Sequence, residues 1–88
     1  MSPKEVHEAI LKIPEGYSEV HYCNKKYGVT KDIFNQQKSC KVYAEELGST
    51  NFISFNYYQL SSRSVLKPCE MPESNVIKFL ENTFHSKR

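Results

Sequence analysis

Two periodicities share the chain. Between Ser2 and Ile13 the apolar residues Val6, Ala9, Ile10 and Ile13 recur at i, i+3, i+4 and i+7, which places them on one side of a helix. Ser2, Pro3 and Glu5 form a start signal. The serine can accept from a backbone N–H, the proline suits the first turn, and the glutamate can reach back to the cap. Pro14 and Gly16 break the pattern, so a helix is predicted over residues 3–13. From Tyr17 the period drops to two. In "YSEVHYC" Val20 and Tyr22 share one face, and Glu19, His21 and Cys23 the other, with a turn at Asn24-Lys25. "KYGVTKDIF", "CKVYAEEL", "FISFNYYQL" and "VLK" follow as strands, although "AEEL" also tolerates helix; "NQQKS", Gly48 to Asn51 and "SSRS" are the turns between them. The aromatic strand puts Ile53, Phe55 and Tyr57 on one face and Phe52, Ser54, Asn56 and Tyr58 on the other. Pro68 ends the last strand. Pro72 is predicted at the first position of a second helix, followed by Glu73. Val76, Ile77, Phe79, Leu80 and Phe84 form its apolar stripe, and His85, Lys87 and Arg88 place positive charge at its C-terminal end.

A helix, four or five short strands joined by short loops, and a final helix predict an α+β fold with an antiparallel meander. Both helices are expected on the face holding Val42, Ala44, Ile53, Phe55 and Tyr57, leaving tyrosines and polar residues on the other. Eighty-eight residues predict one domain, spanning residues 1–88. Six tyrosines and five phenylalanines fit a packed core better than a disordered chain.

Charge and cysteine usage narrow the function classes. A net charge of +2 without a clustered basic stripe argues against nucleic acid as the main partner. No apolar stretch approaches the length of a membrane span, and the N-terminal segment, which carries acids and lacks an apolar core, is not expected to be a signal peptide. Three widely spaced cysteines make a poor disulfide framework and point to free thiols in a reducing cytoplasm. No dinucleotide, P-loop, serine-hydrolase or HExxH motif is present, and no cofactor is expected.

Cys69 lies between Pro68 and Pro72, near the predicted N-terminus of the second helix and two residues after Lys67. Both features favour a thiolate, whereas Glu70 opposes it and no CxxC partner exists. Because free cysteines are commonly buried, Cys69 is expected to fill the seam between last strand and helix. His21 and Cys23, with Cys40 brought near by strand pairing, offer a weak zinc constellation that lacks a second close pair. Lys25, Lys26, Lys31, Lys38 and Lys41, interleaved with Tyr27 and Tyr43, offer a weak single-stranded nucleic-acid surface. Glu45-Glu46 is expected to decorate a sheet edge or helix surface.

The stretch "KSCKVYAEELGSTNFISFNYYQL", followed by "LKPCEMPESNVIKFLEN", resembles a family of small uncharacterised bacterial proteins of similar length. The likeness covers Lys38 to about Leu80, with Ser49 and Asn51 standing where the family pattern has Gly and Asp. Some members carry the name peptide methionine sulfoxide reductase. Such reductases place their cysteine in Gly-Cys-Phe-Trp or Arg-x-Cys-x-Asn contexts, and this chain contains neither. The resemblance directs attention to Tyr43, Glu45, Glu46, Asn56, Tyr57, Tyr58, Lys67, Cys69 and Glu70. The expected function is a non-catalytic binding or interaction module whose partner is a protein or small ligand. The alternatives are a thiol-dependent redox enzyme, with Cys69 as nucleophile and Cys23 or Cys40 as resolving thiol, and a weak nucleic-acid binder.

Overall fold

The computed structural model describes residues 1–36 and 38–84. Its elements are α1 (Pro3–Lys12), β1 (Gly16–Tyr22), β2 (Lys25–Phe34), β3 (Ser39–Glu46), β4 (Phe52–Gln59), β5 (Ser64–Pro68) and α2 (Glu73–Thr83). Each strand pairs antiparallel with its chain neighbour, giving the spatial order β1-β2-β3-β4-β5. Loops this short leave the neighbouring strand as the nearest partner, so the meander follows from connectivity. The fold is α+β. Both helices cover one side of the sheet and enclose the core between themselves and the strands.

α1 begins as its sequence predicts. The Ser2 hydroxyl accepts from the Glu5 N–H at 3.2 Å, and the Glu5 carboxylate accepts from the Ser2 N–H at 2.8 Å. Its other end is held from a distance. The Lys31 ammonium, on β2, donates to the carbonyls of Ile10 at 2.8 Å and Ile13 at 3.0 Å. Those carbonyls lie at the end of the helix, where no further turn supplies donors. Lys31 is 5% exposed and belongs to the core side, not to the lysine-bearing surface predicted for it. Its position follows from register: Lys31 pairs with Val42, whose side chain is fully buried.

Phe55, Phe79, Leu80, Val29, Val42 and Val76 are fully buried. Phe79 fastens α2 to the sheet, with its ring 5.1 Å from that of Tyr22 in an edge-on arrangement. Burial of each such large side chain stabilises the fold by roughly 1.5–3 kcal/mol. Pro72 is the N-cap of α2 and not its first helical residue. Its backbone is extended (φ −65°, ψ 150°), and α2 starts at Glu73 without a side-chain cap. The proline ring fixes φ but leaves ψ free to stay extended. His85, Lys87 and Arg88 lie outside the described residues.

The first hairpin turns one residue earlier than predicted. Cys23 (φ 53°) and Asn24 (φ 61°) form its two-residue loop, and Lys25 pairs with Tyr22. Two successive positive φ values match the right-handed twist of the flanking strands, which outweighs the local strain at a cysteine. Cys23 therefore leaves the alternation of β1.

Candidate functional site

The side of the sheet away from the helices carries Tyr43, Glu45, Asn56, Tyr58 and Lys67. Strand alternation places them together, since each is offset by one residue from a core position. Register arranges this face in rows. Tyr17, Thr30, Tyr43 and Ser54 are successive cross-strand partners in one row. Asp32, Lys41, Asn56 and Lys67 form the next. A shallow depression of about 570 Å³ lies here, lined by Thr30, Asp32, Lys41, Tyr43, Phe52, Ser54, Cys69 and Glu70.

Cys69 does not fill the seam beneath α2. Its backbone N–H donates to the Ser54 carbonyl at 2.9 Å, which extends the pairing one residue past Pro68. Pro68 lies opposite the buried Phe55, so the next side chain turns to the uncovered face. There the half-buried thiol lies 3.5 Å from the Asn56 Nδ2, which donates to it. Glu70 follows in the left-handed region (φ 62°), redirecting the chain toward α2.

Tyr57 is not part of this surface. It is 5% exposed on the core side, with its hydroxyl 2.8 Å from His7 Nδ1. The Gln59 amide lies 3.1 Å from the same nitrogen. Nor is Glu46 a surface carboxylate. It is buried, accepts from Asn51 Nδ2 at 2.9 Å, and lies 3.9 Å from the Lys25 ammonium.

Aromatic rings stand on the uncovered face. Tyr17 is 61% exposed, and its ring lies across Gly28, where a Cβ would come within 2.6 Å of the phenol oxygen. The missing side chain at Gly28 is what lets the ring lie down. The Tyr17 hydroxyl donates to Glu19 Oε2 at 3.0 Å, and Lys26 Nζ pairs with Glu19 Oε1 at 3.1 Å. Those two partners hold the Glu19 carboxyl below its ordinary range, Lys26 contributing more; the Tyr17 phenol is pushed up chiefly by its bond to Glu19. Tyr43 and Phe52 stack with ring centres 6.0 Å apart and planes 26° from parallel. Lys26, Lys41 and Lys67 on this face are matched by Glu19, Asp32, Glu45 and Glu70.

The zinc constellation does not form. His21 faces the uncovered side, Cys23 occupies the hairpin turn, and Cys40 is buried on the core side. Among the described residues, no group of three or more His, Cys, Asp or Glu side chains could hold a metal ion. The five lysines considered for nucleic acid are likewise divided. Lys31 is buried, Lys25 approaches Glu46, Lys38 sits beside the core-side recess, Lys26 is paired with Glu19, and Lys41 lies opposite Asp32 on the uncovered face. Tyr27 is buried. Thr30, Asp32, Phe52 and Ser54 also line the depression, and no motif in the sequence marks them. Asp32 opposite Lys41 is the signal that β2–β3 register would have supplied.

Comparison with known protein families, with curated proteins and with solved structures found no match to this chain. Among the described residues, no helix is long and apolar enough to cross a membrane.

Proposed function

We propose that this chain is a non-catalytic protein-interaction module whose recognition surface is the uncovered face of the sheet. The observation that carries the reading is that this face, left bare by both helices, combines exposed Tyr17 and Tyr43 with charges of both signs. Tyrosine supplies large contact area at low conformational cost, and interspersed charges set orientation. Four carboxylates among three lysines favour a protein over a polyanion, which would meet repulsion on the same face. Three free cysteines support a reducing, cytoplasmic setting, and the family resemblance supports a bacterial one.

A photo-crosslinking side chain at Tyr43, compared with one at Lys4 on α1, tests the proposal in cells. A discrete protein adduct from position 43 that is absent from position 4 and weakened by Lys41→Glu is expected. Equal labelling from both positions, or none from position 43, rejects it.

Thiol redox chemistry at Cys69 is the second reading, favoured by the sulfur lying in the depression beside Asn56. Its resolving thiol is the weak point. Cys40 lies under the helices and Cys23 in the β1–β2 turn.

A further inference from the structure

Lys31 does more than close α1. It is 5% exposed, and the ion pairs among the described residues, Lys25–Glu46 and Lys26–Glu19, do not involve it. Its two acceptors are backbone carbonyls at the C-terminus of α1, where the helix dipole supplies only about half a negative charge. An ammonium has three donors, and two are used here. A buried cation matched by so little opposite charge is an unusual arrangement, because buried charges are ordinarily paired.

The same lysine lines a recess of about 170 Å³ between α1 and the sheet. Cys40, Tyr57 and Gln59 also line it, the Tyr57 hydroxyl and the Gln59 amide being engaged with His7, while Ile10 and Ile33 bring apolar surface. Among the described residues no carboxylate lines it, and the exposed Lys38 adds a second ammonium at its margin. Burial pushes the Cys40 thiol up while the Lys31 charge opposes that rise, so the thiol stays neutral and adds no negative charge. The recess thus combines the remaining Lys31 donor and an excess of positive charge with an apolar wall, at the size of a cavity that holds a single aromatic ring.

We infer that this recess binds a small carboxylate with a compact apolar tail, its carboxyl group accepting from the Lys31 ammonium and its tail lying against Ile10 and Ile33. The site is on the opposite side of the sheet from the proposed interaction face and is independent of it.

Benzoate is the probe, with the neutral isostere benzamide and sodium chloride of equal ionic strength as controls. In isotope-labelled protein, benzoate is expected to shift the amide resonances of Ile10, Lys31, Cys40 and Tyr57 saturably, and to slow alkylation of Cys40. Benzamide is expected to bind about ten- to a hundredfold more weakly, the worth of one charge-assisted hydrogen bond. Ile33→Phe, which fills the recess and leaves the Lys31 bonds in place, is expected to abolish binding. Lys31→Met is expected to erase the preference for benzoate. Should Lys31→Met fail to fold, Ile33→Phe and the two ligands on the unaltered protein decide the matter. Equal affinity for benzamide, shifts that do not saturate, or undiminished binding by Ile33→Phe would overturn the proposal.

Discussion

Replacing Lys31 by methionine tests whether a lysine from the sheet closes the first helix. Methionine keeps nearly the same volume and stem, so packing against the core is retained. Two hydrogen bonds from a charged donor vanish, at 2.8 Å to Ile10 and 3.0 Å to Ile13. Bonds to charged groups contribute about 1.5–3 kcal/mol each. The substitution also removes the cost of burying an ammonium, several kcal/mol, which offsets much of that loss. What remains is set by the acceptors. The Ile10 carbonyl still receives the Ile13 N–H at 3.1 Å, whereas the Ile13 carbonyl loses its ammonium partner. One carbonyl stranded in a buried setting costs about 1–3 kcal/mol, and that is the expected net loss. A domain of this size has roughly 4–13 kcal/mol to lose, so the variant should fold. Urea unfolding should show a lower midpoint with an unchanged slope, and amide exchange should quicken in the last turn of α1. A variant as stable as the parent, or more so, would show that the ammonium contributes nothing beyond its own desolvation.

Three further outcomes are expected. Phe79→Ala should cost about 3–5 kcal/mol in urea unfolding, because the ring is fully buried and meets Tyr22 edge-on; a loss below about 1 kcal/mol would mean that α2 is fastened elsewhere. Burial pushes the Tyr22 phenol up to about 12. Between the ordinary tyrosine value near 10 and that point the unfolded chain gives up a proton that the folded one keeps, so stability should fall as pH rises from about 10 to 12. Tyr22→Phe should flatten that decline, and an identical pH profile would refute the assignment. Alkylation of the native protein should proceed in the order Cys23, Cys69, Cys40, following exposed, half-buried and buried thiols, whereas the redox reading requires Cys69 to outrun Cys23 at neutral pH.

Local pattern was enough for the elements, their order and the side of the sheet that the helices cover. An amphipathic stripe such as Val6, Ala9 and Ile10 has one way to be buried, and alternation in "FISFNYYQ" settles which of its residues face the core. The capping box at Ser2 and Glu5 was legible for the same reason, since its partners are three residues apart. Much of the uncovered face was legible too: Tyr43, Glu45, Asn56, Tyr58 and Lys67 all arrived on it by parity. Tyr57 did not, because parity sends adjacent tyrosines to opposite sides.

Contacts between residues distant in sequence were decided only by the folded chain. Lys31 looks like one more surface lysine until pairing with Val42 carries it beneath α1. Cys69 has the composition of a buried seam until one extra backbone bond to Ser54 carries the strand past Pro68 and turns the thiol outward. His21, Cys23 and Cys40 look like neighbours on paper, yet the turn takes Cys23 out of β1, and register puts Cys40 opposite Ile33 on the core side, away from His21. Register and turn position are properties of strand pairs, and a one-residue change in either exchanges core for surface.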